Sequence, residues 1–180
     1  MIYIFLADGF EEIEALCPLD ILRRAGFDVK TVGVGGKYDI VGAHGISVRA
    51  DIKDTEFCDK EPTLIMLPGG MPGTKNLDES KAVHYAIKDA LSCGAYIAAI
   101  CAAPSILGKM GLLNGKEAIC FPGFEQYLTG AKLSDKKVVR DGKFITAAGM
   151  GVALEFGLCI VEALSGKEKA DAIAAQILAK

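Results

Sequence analysis

The chain has 180 residues, enough to bury a substantial hydrophobic core, and we expect residues 1–180 to form a single domain. Apolar residues make up 51% of the sequence and the formal net charge is −3, which gives no electrostatic reason to expect binding of nucleic acid or of an anionic membrane. The longest apolar runs have the length of strands and are too short to span a membrane.

The first predicted elements are a buried strand and an amphipathic helix. Residues 2–7 form a continuous apolar run, and residues 10–25 follow the period of a helix that Gly26 ends. Glu14 falls in the middle of the apolar face of this helix, where an acid must be paired, hydrogen bonded or protonated. The alternative is a helix that becomes irregular at Pro18 and leaves Glu14 in solvent.

A second strand and a weakly patterned arm come next. The strand is predicted over residues 27–34, and the arm contains two short strands over residues 39–41 and 47–50. Residues 63–67 then form another apolar strand, followed by a glycine-rich loop. Residues 77–92 carry the apolar spacing of an amphipathic helix.

The stretch from Tyr96 to Gly111 is the one around which we expect the functional site to form. Tyr96–Ile100 is an apolar strand, Cys101 follows it directly, and a short helix starts at Pro104. Such a junction lies at the carboxyl edge of a sheet and beside a helix N-terminus, where an anion is favoured. Cys101 is therefore predicted to ionise more easily than a free thiol. The alternative is that Cys101 is one more small buried hydrophobic residue.

The remaining elements continue the alternation of strands and helices. Residues 117–121 suggest a strand, and Asp141 and Gly142 form a hairpin turn between two further strands. Helices are predicted over residues 152–164 and 167–178. We therefore predict an α/β fold in three layers, with a mostly parallel, doubly wound sheet.

The six cysteines are scattered along the chain. They form no CxxC pair and have no close spacing with histidine, which argues against a zinc centre. The first residues carry neither the basic segment nor the cleavage site of a secretory signal. We therefore expect a reduced, cytoplasmic protein with no metal and no cofactor.

Three strand ends are predicted to meet, because ligands in doubly wound sheets bind outside the carboxyl ends of strands near a change in strand order. They bring together the thiol of Cys101, the acid of Glu14 and the pair Gly69 and Gly70. The N–H groups of this pair, with that of Ala102, could hold an oxyanion. The alternative for the glycine-rich loop is a tight turn that needs positive φ. Its spacing does not match a phosphate-binding loop.

Four motifs resemble the ThiJ/PfpI superfamily, in the branch that contains the parkinsonism-associated protein deglycase and its small bacterial relatives. The motifs are EEIE at residues 11–14, LPGG at 67–70, AAICAAP at 98–104 and ALEFGLCIVEAL at 153–164. They occur in order, and the resemblance extends over essentially the whole chain.

The resemblance implies a flavodoxin-like three-layer sandwich that forms a homodimer, with Cys101 on a strained nucleophile elbow. It implies that Glu14 is protonated and hydrogen bonds the cysteine sulfur. Gly69, Gly70 and Ala102 are expected to line the oxyanion pocket. The family cysteine is readily oxidised to a sulfinate, and the same acid stabilises that product.

The chain departs from the family where histidines are expected. Protease-like members have a histidine directly after the nucleophile, where this chain has Ala102. Phe121 and Pro122 stand where the human-type branch has a histidine before a proline. The two histidines of the chain, His44 and His84, lie upstream and are expected at the surface. No Cys-His dyad can be drawn, so we do not expect proteolysis or amidotransferase chemistry.

Two functions fit these residues. The first is a glyoxalase or deglycase activity, in which the Cys101 thiolate adds to a small 2-oxoaldehyde such as methylglyoxal, or acts on its early protein adducts, while Glu14 moves protons. The second is a non-enzymatic role as a redox-responsive stress protein or chaperone that senses oxidation at Cys101. Both use the same residues, and the missing histidine favours the second.

Overall fold

A seven-stranded sheet lies between two layers of helices. The structure, a computed structural model, describes residues 1–179. The strands of the chain are β1 (Ile2–Leu6), β2 (Val29–Gly33), β3 (Asp39–Val41), β4 (Ser47–Arg49), β5 (Ile52–Lys53), β6 (Leu64–Leu67), β7 (Tyr96–Ile100), β8 (Glu117–Ala118), β9 (Lys132–Leu133), β10 (Val138–Asp141) and β11 (Phe144–Ala147).

The described part of the chain has six α-helices, of which four connect strands and the last two follow the final strand. They are α1 (Glu12–Arg24), α2 (Gly73–Glu79), α3 (Lys81–Ser92), α4 (Pro104–Lys109), α5 (Ala153–Ser165) and α6 (Lys167–Gln176). The longest, α1 and α5, have 13 residues each. Within residues 1–179, none of the helices has both the length and the apolar character needed to cross a membrane.

The sheet has the strand order β10-β11-β7-β6-β1-β2-β5. Every neighbouring pair is parallel except β10 and β11, which form the predicted hairpin. Chain order reverses on the two sides of β1, with β2 on one side and β6 on the other. The predicted mostly parallel, doubly wound sheet is confirmed. The carboxyl ends of β1, β6 and β7 consequently lie side by side at the change in strand order.

Alternate side chains of the buried strands feed two separate cores. In β1, Ile2, Ile4 and Leu6 face one core, and Tyr3 and Phe5 face the other. The first core is covered by α1, α5 and α6, and the second by α2, α3 and α4. This is the predicted three-layer sandwich, and it explains why the inner strands are apolar at successive positions.

The helix α1 carries Glu14 into the first of these cores. Acids lie in its first turn and Arg23 and Arg24 in its last, which complements the helix dipole. Gly26 follows the helix with φ 85°, as predicted for a helix end. Pro18 lies inside the helix without ending it, and Glu14 is only 1% exposed. The alternative that placed Glu14 in solvent is therefore wrong.

Two predicted elements differ from the structure. The helix predicted over residues 77–92 is two helices, because Ser80 is extended and its side chain accepts the Val83 N–H as the cap of α3. The strand predicted over residues 117–121 stops at Ala118. Beyond that point the Ile119 N–H donates to the side chain of Thr146 instead of to a strand.

Candidate active site

Cys101 occupies a sharp turn between β7 and α4. Its φ is 65°, in the left-handed region that is unfavourable for a residue with a side chain. Two backbone hydrogen bonds hold this conformation: the Cys101 N–H donates to the Ala147 carbonyl at 2.8 Å, and the Cys101 carbonyl accepts from the Phe121 N–H at 2.7 Å. The side chain is half-buried at the carboxyl edge of the sheet. Such a turn presents the sulfur toward the switch point.

Glu14 reaches the same place from α1. Its Oε2 atom accepts the Gly69 N–H at 2.9 Å, the Met150 N–H also donates to its carboxyl group, and the carboxyl and the Cys101 thiol interact by a side-chain hydrogen bond. A side chain on Gly69 would meet Glu14 Oε2 at 2.5 Å and the Cys101 Cβ at 2.6 Å. Glycine at position 69 is therefore required for the acid and the thiol to approach each other.

The Glu14 carboxylate raises the cost of ionising the Cys101 thiol, whereas the hydrogen bond from the thiol favours the ionised form of Glu14. Burial raises the pKa of Glu14 to about 7, against the hydrogen bonds from Cys101, Gly69 and Met150 that lower it. Burial, and then the charge of Glu14, raise the pKa of the Cys101 thiol to about 12. The pair therefore releases its first proton near pH 7 and does not carry two negative charges below about pH 12.

The prediction that Cys101 ionises more easily than a free thiol is wrong, because burial and a neighbouring carboxylate outweigh the helix N-terminus. The N–H groups of Ala102 and Gly70 do act in the predicted direction, since both hydrogen bond the sulfur and lower the pKa of the thiol. The negative charge that forms on the Glu14 carboxylate when a proton leaves near pH 7 can move to the sulfur if Glu14 takes the thiol proton.

Of the three N–H groups predicted to form the oxyanion pocket, two point to the sulfur and one does not. The N–H groups of Gly70 and Ala102 point to the sulfur, where they can donate hydrogen bonds to negative charge on a bound substrate. The Gly69 N–H is occupied by Glu14 and is not available to an oxyanion. Gly69 consequently positions the acid, and the Met150 N–H, which sequence reasoning missed, has the same role. No side-chain pattern marks a backbone N–H for such a contact.

A second cluster lies at the start of α1. The side chains of Glu11, Glu12 and His44 place one donor atom each within 4.8 Å of one another, so they could hold a metal ion. Their present contacts account for the cluster without one: Glu12 accepts from the His44 N–H at 2.8 Å, from the Ile46 N–H at 3.4 Å and from the His44 ring at 2.9 Å. These bonds fasten the loop of residues 42–46 to α1.

Neither histidine takes the place of the missing family histidine. The His44 ring is 68% exposed and binds Glu12 and Glu11, and these acids raise its pKa. The His84 ring contacts the Asp78 carbonyl at 2.8 Å. Within residues 1–179, no histidine is hydrogen bonded to Cys101. Within the described residues, the titratable side chain hydrogen bonded to the thiol is that of Glu14.

Comparison with known proteins supports the same family as the motifs. The sequence profile of the DJ-1/PfpI family matches residues 1–163. Protein DJ-1 homolog B of Arabidopsis thaliana is 40% identical over 167 residues, which make up 92% of this chain and 38% of that protein. The chain thus spans less than half the length of that relative.

Two other relatives match over most of their own length. Protein dj-1beta of Drosophila melanogaster is 36% identical over 177 residues, covering 97% of this chain and 95% of that protein. Its crystal structure superposes with a TM-score of 0.93 over 98% of this chain and 96% of that chain. A Caenorhabditis elegans protein named glutathione-independent glyoxalase DJR-1.2 is 33% identical over 165 residues, 91% of this chain and 87% of that protein. The flavodoxin-like fold and the resemblance inferred from the motifs are confirmed, and the chain belongs to the DJ-1/PfpI family.

Proposed function

We propose that this protein is a cysteine-dependent glyoxalase that converts 2-oxoaldehydes such as methylglyoxal into 2-hydroxy acids. The observation that carries the proposal is the contact between the Glu14 carboxyl and the Cys101 thiol, with two backbone N–H groups directed at the sulfur. This arrangement supplies a nucleophile, a proton carrier with a pKa near neutrality and donors for an oxyanion. The C. elegans relative named a glyoxalase supports the same reaction class.

The first step is addition of the thiol to the aldehyde. Ionised Glu14 takes the proton of the Cys101 thiol while the sulfur attacks the aldehyde carbon. The C=O π electrons move to oxygen, and the N–H groups of Gly70 and Ala102 lie beside the sulfur, where they can stabilise that charge. Protonated Glu14 then returns its proton to the oxygen, which completes a neutral hemithioacetal.

The second stage moves hydrogen from carbon 1 to carbon 2. Glu14 removes the carbon 1 proton to give an enediol and delivers a proton to carbon 2, which leaves a thioester of the 2-hydroxy acid. Carbon 1 is oxidised and carbon 2 is reduced by the same electron pair, so no external oxidant is needed. Water then hydrolyses the thioester to the acid and the free thiol. Methylglyoxal and one water thus give lactate.

The site favours small free aldehydes over protein adducts as substrates. Cys101 is half-buried, and hydrogen bonds to its N–H and its carbonyl hold its backbone in place. The sulfur therefore cannot move out toward a bulky substrate, and the substrate must reach the sulfur. Early protein adducts, the substrates of a deglycase, carry the bulk of a second polypeptide. For that reason we place the glyoxalase reaction first and deglycation second.

Lactate formation from methylglyoxal by the purified protein is the direct test. We expect Cys101→Ser to abolish it, because the alcohol is a far weaker nucleophile at neutral pH. Cys93→Ser is the matched control, since Cys93 is an exposed thiol at the end of α3. Undiminished lactate formation by the Cys101→Ser variant would contradict the proposal.

A redox role of the same cysteine is the second candidate. The Glu14 acid and the N–H groups of Gly70 and Ala102 form a set of donors that also suits the oxygens of a sulfinate. Oxidation would remove the nucleophile, so the two functions exclude each other at any one site. Intact-mass analysis after titrated peroxide separates them in the same preparation used for the lactate assay.

We also propose that the chain forms a homodimer, as DJ-1 homologues typically do. The side chains of Ile13 on α1 and Leu154 on α5 are 49% and 41% exposed, and these two helices pack against each other. We expect sedimentation at about twice the chain mass of 19.0 kDa and dissociation by Leu154→Glu. Leu133→Glu, at an exposed leucine of β9, is the control, and a monomeric parent protein would refute the proposal.

A further inference from the structure

Residues 117–121, which begin with β8, link the hairpin of β10 and β11 to the turn at Cys101. The N–H group of every second residue in this segment is bound. Three bonds are formed: Glu117 N–H to Asp141 Oδ2 at 2.9 Å, Ile119 N–H to Thr146 Oγ1 at 3.0 Å, and Phe121 N–H to the Cys101 carbonyl at 2.7 Å. The spacing of two is that of a strand edge, with side-chain oxygens in place of the first two carbonyls of a neighbouring strand. We call this segment the tether.

Thr146 supplies the middle bond of the tether from a buried position. It lies on β11, is 1% exposed, and by strand alternation has its side chain on the same face of the sheet as Phe144 of the second core. A valine has a similar shape and a similar preference for strands, so packing alone does not require a hydroxyl at this position. The hydroxyl has a separate effect, because it gives the Ile119 N–H an acceptor.

The end of β11 holds the turn at Cys101 from both sides. Directly, the Ala147 carbonyl accepts the Cys101 N–H at 2.8 Å, and Ala147 follows Thr146 in the chain. Indirectly, Thr146 binds the tether, whose Phe121 N–H donates to the Cys101 carbonyl. A residue with a side chain in the left-handed region, here with φ 65°, persists only where the surrounding contacts fix it. The conformation of Cys101 therefore depends on both connections.

We propose that Thr146 is a positioning residue, which acts through the tether to keep the Cys101 sulfur in place for reaction. The sulfur lies among three groups that the proposed reaction uses: the Glu14 carboxyl and the N–H groups of Gly70 and Ala102. Glu14 and Gly70 belong to other parts of the chain, so a small rotation of the Cys101 turn takes the sulfur away from them. The inference rests on the proposed glyoxalase function for its effect on rate.

Two substitutions of Thr146 test the effect on catalysis. Thr146→Val removes the acceptor of the Ile119 N–H and keeps the approximate shape of the side chain. We expect its kcat/KM for methylglyoxal to fall about tenfold to a hundredfold, with the loss in kcat, because misplacement of reacting groups by about 1 Å has effects of this size. Thr146→Ser keeps a hydroxyl at the same place and should retain most of kcat.

Thr31→Val is the matched control. Thr31 is a buried threonine of β2, 4% exposed, and its hydroxyl accepts the Asp51 N–H at 2.9 Å and donates to Asp51 Oδ2 at 2.9 Å. The strands β1, β6 and β7 separate β2 from β11. Loss of this hydroxyl should lower the unfolding free energy, as at Thr146, because both substitutions leave polar groups without their partner. It should leave kcat unchanged.

Amide hydrogen exchange tests the tether without turnover. In Thr146→Val the Phe121 amide should exchange about tenfold faster or more than in the parent protein, because the tether then opens locally. In Thr146→Ser it should exchange at the parent rate. Ile4 on the inner strand β1 is the reference amide, since it is fully buried. A loss of global stability raises the exchange rate at Ile4, whereas local opening of the tether raises the rate at Phe121 and leaves that at Ile4 unchanged.

The two measurements keep the proposals apart. The expected result is a kcat loss in Thr146→Val that serine restores and Thr31→Val lacks, together with faster local exchange at Phe121. An unchanged kcat in Thr146→Val, a loss shared by Thr31→Val, or a Phe121 amide that exchanges at the parent rate would overturn the positioning role, while turnover by the parent protein leaves the glyoxalase proposal standing. Absence of turnover in the parent protein would overturn the glyoxalase proposal, and exchange at Phe121 then decides whether Thr146 holds the turn. If Thr146→Val does not fold, Thr146→Ala removes the same hydroxyl and replaces it in both measurements.

Discussion

Glu12 and Glu14 lie two residues apart on α1, and both are shielded from water, at 4% and 1% exposed. Burial raises the pKa of each, but the outcomes differ. The His44 ring and backbone N–H groups that bind Glu12 outweigh burial and lower its pKa. Glu14 lies deeper, faces a thiol and has its pKa raised to about 7. The partners and depth of a carboxyl group, and not its exposure alone, decide its charge.

The difference between the two acids has a functional meaning. Glu12, whose pKa is lowered, accepts hydrogen bonds from the His44 ring and from the N–H groups of His44 and Ile46, and so fastens the loop of residues 42–46. Glu14 exchanges its proton near neutrality and touches the one thiol that sits on a strained turn. On the proposed function, one helix turn thus contains a structural acid, Glu12, and a proton carrier, Glu14, and substitutions of each should behave differently.

The largest expected effect is on catalysis. Glu14→Gln keeps the shape of the side chain but cannot carry a proton, so we expect kcat/KM for methylglyoxal to fall about 10²–10⁴-fold. Glu12→Gln is the matched control on the same helix turn, and we expect a loss of less than about tenfold, since that acid has no proton to transfer. Equal losses in the two variants would mean that Glu14 acts through structure alone.

The pH dependence of the reaction gives the next effect. The proposed mechanism needs ionised Glu14 to accept the thiol proton, and the pKa of Glu14 is about 7. We therefore expect kcat/KM to fall about tenfold per pH unit below pH 7 and to level off above it. Glu14→Gln should remove this dependence in its residual activity, whereas a profile that persists in Glu14→Gln would assign the titration to another group.

The stability of the fold should depend on pH in opposite senses for the two acids. The pKa of Glu14 is raised from 4.5 to about 7, so the fold disfavours its charged form and loses stability as pH rises across this interval. Glu14→Gln removes that loss. We expect the unfolding free energy of the Glu14→Gln variant, minus that of the parent protein, to rise by about 3 kcal/mol between pH 4 and pH 8. Urea titration at each pH measures this difference.

Glu12 should show the reverse sign. Its pKa is lowered from 4.5, so its contribution is present above 4.5 and is lost as pH falls through the folded-state value. Glu12→Gln should lower the unfolding free energy at pH 7 by about 1–3 kcal/mol. At low pH the unfolding free energy of the variant should approach that of the parent protein. If both variants followed the same pH trend, the contrast between the two acids would be wrong.

The smallest expected effect concerns oxidation. Under mild peroxide we expect Cys101 to gain two oxygens and stop at the sulfinate, because Glu14 and the N–H groups of Gly70 and Ala102 satisfy its oxygens. The melting temperature should rise by a few degrees, and Glu14→Ala should erase the rise. A loss of two hydrogens shared between the Cys101 and Cys120 peptides would indicate a disulfide instead.

Much of the site was predictable from local patterns. The apolar run Tyr96–Ile100, the cysteine after it and Pro104 mark β7, the turn and the start of α4 at their observed positions. The apolar face around Glu14 predicted its burial, since the period of a helix is independent of tertiary structure. Parallel strands then bring these residues to one edge, as the alternation of elements indicated.

The rest of the site depends on three-dimensional contacts that no sequence pattern predicts. The raised pKa of Cys101 comes from three-dimensional burial and from Glu14, which lies 87 residues earlier in the chain. The N–H groups of Gly69 and Met150 turn toward Glu14 because of loop dihedral angles, and any residue type has such a group. The break between α2 and α3 did leave a signal in Ser80, a favourable helix cap.

The two hydrogen bonds that hold the backbone of Cys101 also determine how this part of the molecule opens. The Cys101 N–H is bound to β11, and its carbonyl binds the Phe121 N–H, with fully buried residues on both faces of β7 before it. Because the Cys101 N–H is bound beside these buried residues, we expect the Cys101 amide to exchange with deuterium slowly. A half-buried cysteine side chain would then stand on one of the slowest-exchanging amides of the chain.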